Sequence, residues 1–332
     1  MVKISVIVPV YNPPKHFLED CINSLLQQTL SDIEIILVDN GSTGGCSEVL
    51  DSAAKQDSRV VLQRFSENRQ FSGAVNSGLA LATGKYILIV DSDDYLDCNA
   101  CRKLYAEMEK HPKTDMLFFC AYEKDEGRKC LHETSVYDLD LLRENFEGRA
   151  FTFSEAKGFL LYLPSQAWGK FYKKEFLLDN QNFIDDDLGS ACADSLFSFK
   201  NYCNAGEMRI ISERLYYYRT NVHEGVVGGL GAKSCPYFLN PVLFARKVSE
   251  LQKKLGRYAE EFTTYNASQL HYFFNLIHKS NRSKYYDAMR VFLANNLDTK
   301  KIFDAKLRKW VKNVIKYPYW YFSLKRFLGR EF

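Results

Sequence analysis

Short runs of apolar, mostly β-branched residues constrain the fold of this chain more than any other feature. The runs occupy residues 3–10, 33–38, 86–90 and 116–122, and helical patterns of apolar residues separate them. A run that is apolar at almost every position is typical of a strand covered on both faces, as in a parallel sheet. The alternation of strands and helices over residues 1–125 therefore predicts an α/β unit with a mostly parallel central sheet.

Polar residues directly follow three of these runs. Tyr11 comes after the first, Asp39 after the second, and the sequence Asp91-Ser92-Asp93-Asp94 after the third. Open α/β sheets bind ligands at the carboxyl ends of their strands, so these residues are candidates for a binding site. Carboxylates this close repel one another unless a cation lies between them, and their oxygen atoms suit Mg²⁺ or Mn²⁺ bound together with substrate phosphates. The alternative is a solvated turn that caps the helix beginning near residue 99.

The composition excludes several classes of protein. The chain has 332 residues, 46% hydrophobic and 26% charged, with 18 Gly and 8 Pro, which excludes gross disorder and collagen-like repeats. Its nine Cys are an odd number spread along the chain, so we expect a reducing compartment and no disulfide scaffold. Cys98 and Cys101 form one C-x-x-C pair without the second pair that a zinc site needs. We find neither a leader sequence nor an apolar run of the ~20 residues that span a membrane, and we expect a cytoplasmic protein.

The C-terminal part of the chain has a different character. Residues 240–316 follow a helical pattern, and residues 300–332 carry ten Lys or Arg against two acidic residues. Drawn as a helix, this region places apolar and basic side chains on opposite faces. It either lies in an anionic membrane surface, peripheral at the inner face of the cell membrane, or packs its apolar face on protein. The apolar face comprises Phe303, Leu307, Trp310, Val311, Val314 and Ile315, and the basic face comprises Lys301, Arg308, Lys309, Lys312 and Lys316.

Five sequence blocks in the first hundred residues occur in a fixed order. They begin at residues 5, 38, 67, 82 and 91 and read SVIVPVYN, VDNGS, ENRQFSGAVNSGL, ATGKYI and DSDD. Together they resemble the family 2 glycosyltransferases with a GT-A fold. In that family the first half of the fold binds a nucleotide sugar, usually a UDP-sugar.

The resemblance implies roles on the donor side of the site. The residues that match those cradling the uracil and ribose are Pro9, Tyr11 and Asp39, and Asn68 and Asn76 match the segment that closes over the nucleotide. Asp91 matches the aspartate on the ribose side, and Asp93 matches the ligand of the metal ion, Mn²⁺ or Mg²⁺. Asn40 departs from the family pattern, which often has a second Asp at this position.

A second resemblance block covers the acceptor side. It comprises AWGKFYKKEF from residue 167 and ADSLF from residue 193. In the family the Asp of the latter block is the catalytic base, which implies that role for Asp194, although Ala193 replaces the usual Glu. The residues alone leave open a helix N-cap at Asp194 and a base supplied by the run 185–187. Trp168 is either a stacking platform for the acceptor sugar or a core residue.

Two later residues complete the candidate site. Arg219 follows three tyrosines, in a segment where the family has a Tyr-Arg pair, and is expected to contact the diphosphate. His223 lies where some relatives have a third metal ligand, but a lone His in a loop is more often a surface residue.

The function that the resemblance implies is metal-dependent, inverting transfer of a hexosyl or N-acetylhexosaminyl group from a UDP-sugar. The acceptor is expected to be a glycan or a lipid-linked molecule in surface-polysaccharide synthesis. The chain would then divide into a donor half (1–125), an acceptor half with the base (126–235) and a helical extension (236–332).

Other classes of protein stay open as alternatives. A nucleotidylyltransferase would be expected to carry a Gly-rich loop after the first strand, where this chain has VYNPP. A non-catalytic nucleotide-sugar-binding protein is the other alternative. No nucleic-acid-binding module is visible, so we expect no nucleic-acid partner, and a homodimer is an open expectation.

Overall fold

The computed structural model describes residues 1–127, 130–133, 139–162, 164–188, 192–220, 233–321 and 323. The chain forms two compact units. The first comprises Met1–Asp186 and Ala193–His223, and the second comprises Asp187–Cys192 and Glu224–Phe332. The second unit therefore includes a short segment from the middle of the chain.

One sheet organises the first unit, and nine strands of it lie in the described part of the chain. The strands are β1 (Ile4–Val10), β2 (Ile33–Asn40), β3 (Val60–Phe65), β4 (Tyr86–Ile89), β5 (Tyr95–Leu96), β6 (Met116–Asp125), β7 (Cys130–Glu133), β8 (Lys170–Lys173) and β9 (Met208–Thr220). The helices are α1 (Lys15–Leu26), α2 (Cys46–Gln56), α3 (Gln70–Leu81), α4 (Ala100–Lys110), α5 (Asp140–Phe146), α6 (Phe153–Ala156), α7 (Lys174–Asp179) and α8 (Ala193–Asn204). Short 3₁₀ helices cover Lys157–Tyr162 and Asp186–Leu188.

The strand order is β3-β2-β1-β4-β8-β6-β9-β5, with β7 paired to β6. The strands β3, β2, β1 and β4 are all parallel, and every residue of β2 and β4 is buried. The α/β unit with a parallel centre that the sequence predicts is therefore confirmed. Beyond β4 the sheet is mixed, because β8 is antiparallel to both β4 and β6, whereas β9 is parallel to β6.

Helices pack closely on the parallel strands because small residues lie at the contacts. A Cβ atom on Gly78 of α3 would lie 2.4 Å from a methyl group of Ile7, so only glycine allows this approach. At the amino-terminal ends of β1 and β2, the buried Glu34 carboxylate accepts hydrogen bonds from the Ser5 hydroxyl (2.5 Å) and the Thr83 backbone N–H (2.6 Å). These contacts fix β1, β2 and the loop before β4 to one another.

The second unit is helical. Its helices are α9 (Asn240–Leu255), α10 (Ala259–Leu276), α11 (Arg282–Asn296) and α12 (Ala305–Lys316), with a 3₁₀ turn at Thr299–Lys301. The middle segment is held within this unit, since Lys247 forms an ion pair with Asp187 (2.8 Å) and the Asn240 amide donates to the Leu188 carbonyl. The helical pattern predicted over residues 240–316 is confirmed.

The amphipathic helix predicted near the C-terminus is α12, and its apolar face is buried in the second unit. The Trp310 ring lies 4.5 Å from the His271 ring, and the Tyr286 hydroxyl donates to the Val314 carbonyl. Leu307 and Val311 are buried as well, whereas Phe303 lies before the helix and is exposed. Of the two alternatives that the sequence leaves open for this face, the structure supports packing on protein. No described helix is long and apolar enough to cross a bilayer.

Candidate active site

The loops after β1 and β2 form one framework around Asp39. The Asp39 carboxylate accepts hydrogen bonds from the Ser42 backbone N–H (2.9 Å) and from Nε of Arg64 (3.3 Å). The Ser42 hydroxyl donates to the Val10 carbonyl (3.1 Å) and accepts from the Asn12 backbone N–H (3.2 Å). The buried Asp39 thus holds Ser42, which in turn bonds to the end of β1, and its contact with the donor stays a prediction.

Tyr11 lies on this framework with 51% of its surface exposed, and Pro9 is half-buried on β1. An exposed tyrosine at the end of a parallel strand offers a flat ring face to a ligand. The structure therefore leaves Tyr11 accessible for the role in cradling the uracil and ribose that the resemblance implies.

Asn40 holds the loop that follows β3. Its amide nitrogen donates to the side-chain oxygen of Asn68 (3.0 Å) and to the Gln70 carbonyl (2.9 Å), and its amide oxygen accepts from the Arg69 N–H (2.8 Å). A carboxylate has no N–H to donate, so Asp at position 40 would lose two of these bonds. The departure from the family pattern thus has a structural reason. Asn68, which was predicted to bind the donor, shapes this loop through Asn40.

Gly41 allows the close approach of that loop. Its φ is +76°, and a Cβ atom would lie 2.7 Å from the carbonyl carbon of Glu67. Only glycine adopts this conformation without strain at so close a contact.

Asn76 connects α3 to the segment before the 3₁₀ helix at 186–188. Its side chain donates to the Ile184 carbonyl (2.8 Å) and accepts from the Ile184 N–H (3.0 Å). A weaker contact joins it to Asp186 (3.4 Å). Asn76 therefore positions this segment, and a direct contact of its amide with the donor stays a prediction.

The turn Asp91–Asp94, hereafter the acidic turn, follows β4. The Asp94 N–H donates to the Asp91 carbonyl (3.1 Å). The buried Asp94 carboxylate accepts from the Tyr216 hydroxyl (2.7 Å) and from the Arg219 N–H (2.8 Å). The Tyr216 hydroxyl also accepts from the Asp91 N–H (3.1 Å). Asp94 and Tyr216 thus fix the conformation of the turn, in which Asp91 and Asp93 are half-buried.

Negative charge is crowded at the acidic turn. Burial raises the pKa of Asp91 to about 8, and repulsion from Asp93 and Asp194 adds to the effect. Burial, together with repulsion from Asp93 and Asp91, holds the pKa of Asp94 well above its usual range. A bound cation would relieve this repulsion, and carboxylate oxygens suit Mn²⁺ or Mg²⁺.

The metal-binding residues are only partly assembled from the described chain. Among the described residues, no group of three or more His, Cys, Asp or Glu side chains is arranged to hold a metal ion. His223, the weak candidate for a further ligand, lies outside the described residues. One or two carboxylates together with substrate phosphates are nevertheless a usual set of ligands for Mg²⁺.

Arg219 supports the acidic turn, and its contact with the diphosphate stays a prediction. All three guanidinium nitrogens donate, to Asp20 (2.6 Å), to Glu126 (2.9 Å) and to the Asp93 carbonyl (2.7 Å). The side chain is only 4% exposed, and the guanidinium lies over the rings of Phe17 and Tyr95. A diphosphate would therefore have to displace these partners to reach it.

Asp194 is the second residue of α8, in its first turn. Its carboxylate accepts from the Ser195 N–H (2.7 Å), and burial raises its pKa above the usual value. Because its charge also acts on Asp91, the structure brings it into the same acidic site as the turn after β4. The rival residues are engaged elsewhere: Asp187 pairs with Lys247 at 2.8 Å and Asp185 with Lys200 at 3.9 Å.

Trp168 is a core residue, which corrects its predicted role as an acceptor platform. It is 3% exposed, and its ring stacks on Tyr216 (4.6 Å) and Tyr218 (5.1 Å) of β9. A ring this buried has no open face for a sugar. The stack instead supports Tyr216, which holds the acidic turn.

Sequence reasoning missed Lys170, although the residue lies in the second resemblance block. Lys170 is completely buried on β8, where its ammonium donates to the Ser198 hydroxyl (3.4 Å) and to the Gln166 carbonyl. A lysine between the apolar neighbours of a short strand is the one signal that could have identified it.

Comparison with known proteins identifies glycosyltransferases that are similar to this chain in sequence. The uncharacterized glycosyltransferase EpsJ of Bacillus subtilis is 32% identical over 218 residues, which cover 66% of this chain and 61% of EpsJ. The glycosyltransferase GlyG of Streptococcus pneumoniae is 31% identical over 226 residues, 65% of this chain and 70% of GlyG. The match thus spans less than two thirds of EpsJ but more than two thirds of GlyG.

Solved structures of Staphylococcus aureus TarS share the fold. The crystal structure of TarS 1-349 in complex with UDP-GlcNAc superimposes with a TM-score of 0.72 at 20% identity, over 95% of this chain and 88% of that chain. This likeness confirms the GT-A-like fold that the resemblance implies. Residues 5–171 match the model of the family described as glycosyl transferase family 2, which is half of the chain. This chain therefore belongs to glycosyl transferase family 2.

Proposed function

We propose that the chain is a metal-dependent, inverting glycosyltransferase that uses a UDP-linked sugar and a glycan or lipid-linked acceptor of surface-polysaccharide synthesis. One observation carries the proposal. Asp194, from the helix after the middle segment, is close enough to Asp91 of the acidic turn to raise its pKa by repulsion. A candidate base and a candidate metal-binding turn thus share one site.

The donor side supports a nucleotide sugar. Tyr11 is exposed beside the framework of Asp39 and Ser42, at the carboxyl ends of β1 and β2. TarS was solved with UDP and with UDP-GlcNAc, and a TarS sequence that is 27% identical to this chain is a poly(ribitol-phosphate) β-N-acetylglucosaminyltransferase. UDP-GlcNAc is therefore the first donor to test.

In the proposed mechanism Asp194 takes the proton of the acceptor hydroxyl while the hydroxyl oxygen attacks the anomeric carbon. The C–O bond to the diphosphate breaks as the new C–O bond forms on the opposite face, so one displacement inverts the configuration. A carboxyl whose pKa is raised by burial is a stronger base than an exposed aspartate, which suits proton abstraction near neutral pH.

Asp93 would hold Mn²⁺ or Mg²⁺, and Asp91 would lie on the ribose side of the donor. A divalent cation bound there supplies positive charge next to the departing diphosphate. Asp94, Tyr216 and Arg219 contribute by fixing the turn that carries both carboxylates.

The first experiment tests donor and metal together. Purified protein is incubated with a panel of nucleotide sugars, with Mn²⁺ and with EDTA, and UDP release and sugar transfer are measured. We expect Asp93→Ala to abolish transfer and to remove the part of the UDP affinity that depends on Mn²⁺. Asp179→Ala, at an exposed position on α7, serves as the control and should match the wild type. Equal UDP affinity of the wild type with and without Mn²⁺ would overturn the metal proposal.

A second experiment tests the base. Asp194→Asn should keep the melting temperature and UDP affinity while lowering kcat by about 10²-fold or more, the usual scale for a general base. Asp187→Asn, at an exposed position where the carboxylate pairs with Lys247, is the matched control and should keep its turnover. If Asp194→Asn retains turnover and Asp185→Asn does not, the base lies in the run 185–187 instead.

Peripheral membrane contact enters the proposal in an altered form. With the apolar face of α12 buried, the contact would be electrostatic and would use the exposed residues Lys309, Lys312 and Lys316, which lie opposite that face. Each basic residue near an anionic surface contributes about 1 kcal/mol, so changing all three to Gln should weaken binding to phosphatidylglycerol vesicles by about 10²-fold. Changing Lys253 and Lys254 to Gln is the control. A vesicle affinity that does not depend on salt concentration, or that is unchanged in the triple variant, would refute an electrostatic contact with the membrane.

A further inference from the structure

Lys170 is the buried charged group that the proposed mechanism leaves without a role. Its whole surface is inaccessible, and it lies on β8, which is flanked in the sheet by β6 and by β4, the strand that precedes the acidic turn. Burial lowers its pKa to about 7, because a cation loses its hydration inside the protein. A methionine would fill the same space without this cost, so the retained ammonium requires an explanation.

The geometry relates Lys170 to Asp194. Its ammonium donates to the hydroxyl of Ser198, four residues after Asp194 on α8. Residues four apart in a helix lie on the same face, so the ammonium contacts the face of α8 that also carries the carboxylate. Attraction between the two charges raises the pKa of Lys170 and lowers that of Asp194, in each case opposing the effect of burial.

Hydrogen bonding alone does not explain Lys170. The Ser198 hydroxyl also donates to the Gln166 carbonyl (2.9 Å), so α8 and the segment before β8 are tied together without the ammonium. The Tyr202 ring is a further neighbour, with its centroid 5.8 Å from the ammonium. Beyond these contacts, the lysine brings a positive charge to the face of α8 that carries Asp194.

We propose that Lys170 is a positioning residue of the transfer reaction, whose buried positive charge holds Asp194 as an oriented carboxylate until the acceptor hydroxyl arrives. The proposal rests on the proposed role of Asp194 as the base. Two effects then act on Asp194 in opposite directions: burial disfavours the carboxylate, and the charge of Lys170 on β8 favours it. Once Asp194 has taken the proton of the hydroxyl it is neutral, and the attraction to Lys170 favours its return to the ionised form.

The test is the pH dependence of kcat for Lys170→Met, at saturating donor and acceptor. We expect a loss of at least about 10-fold near pH 6, where Lys170 is mostly protonated, and an acid limb displaced to higher pH, because Asp194 without its cation ionises less readily. UDP affinity and the KM for the acceptor should change less than about 2-fold, since neither ligand is bound by Lys170. Lys173→Met on the same strand, where the side chain is partly exposed, is the matched control and should leave the profile unchanged.

A double variant separates this inference from the proposed function. Asp194→Asn alone tests the base, and turnover that survives it refutes the proposed function whatever Lys170 does. In the Asp194→Asn background, Lys170→Met should cause no further loss beyond about 2-fold, because its effect acts through Asp194. An unmoved acid limb, or losses that multiply in the double variant, would overturn the role of Lys170. Lys170→Gln, which keeps a polar group against Ser198, provides the same comparison if the Met variant does not fold.

Discussion

Replacing Arg219 tests whether this residue supports the acidic turn or binds the diphosphate. Its three charge-assisted hydrogen bonds measure 2.6, 2.9 and 2.7 Å, and its side chain is 4% exposed. Asp20 is largely exposed and is readily hydrated after the change, whereas Glu126 and the Asp93 carbonyl are less accessible and lose a buried partner. A charge-assisted bond contributes about 1.5–3 kcal/mol, so Arg219→Met should lower the free energy of unfolding by about 4 kcal/mol.

Arg219→Lys gives a graded result. A lysine keeps the positive charge but replaces the planar fork by one point donor, so it cannot reach all three acceptors together. We expect a loss of about 2 kcal/mol, measured by urea denaturation with an unchanged m-value. The control is Arg149, which is 50% exposed and pairs with Glu155 at 2.9 Å. Arg149→Lys and Arg149→Met should each change stability by less than about 1 kcal/mol.

UDP titration provides the result that would refute this reasoning. A guanidinium that binds the diphosphate would leave stability nearly intact when it is removed, while UDP affinity would be lost. If the free energy of unfolding of Arg219→Met lies within about 0.5 kcal/mol of that of the wild type and the variant no longer binds UDP, Arg219 binds the diphosphate after all.

Three further predictions concern stability. Lys170→Met should raise the free energy of unfolding by up to about 5 kcal/mol below pH 7, since the pKa of Lys170 falls from 10.5 to about 7 on folding. Between these two pH values the unfolded chain binds more protons, so the wild type gains stability as pH rises and the advantage of the variant shrinks; thermal melts at pH 6.5 and 9.5 measure this. Gly84→Ala should cost about 2–3 kcal/mol in denaturant titrations, because its Cβ would lie 2.6 Å from the Ser5 backbone nitrogen, whereas Gly158→Ala meets nothing within 4 Å and should be neutral. Trp168→Ala should cost about 3–5 kcal/mol by the same assay, as expected for a large buried side chain.

The parallel centre of the sheet could be predicted because burial on both faces leaves a continuous apolar run. Strands β1, β2 and β4 have that pattern and begin and end within a few residues of the predicted limits. Strand β9 does not, because polar and charged residues interrupt it, and its partner β6 is far away in the sequence. Such long-range pairing depends on contacts that no local pattern records.

In the candidate site, too, local motifs could be read from the sequence, whereas long-range contacts could not. Asp91, Asp93 and Asp194 could be proposed from the sequence because their residue types and motifs point to chemistry, and their roles stay predictions. The bond between Asp94 and Tyr216, by contrast, joins residues without any local signal. Amphipathicity in α12 indicated that one face is covered but not by what, and the cover proved to be protein. The burial of Trp168 was equally invisible, since a motif gives a residue's type and not its exposure.

The division of the chain into two units has a consequence for biosynthesis. Asp187 and Leu188 belong to the second unit, where their partners are Lys247 and Asn240. They nevertheless lie only a few residues before α8, the helix that carries Asp194. A nascent chain emerges from its N-terminus, so α8 leaves the ribosome well before those partners exist. Asp187 and Leu188 can therefore form these contacts only after α9 has been synthesised.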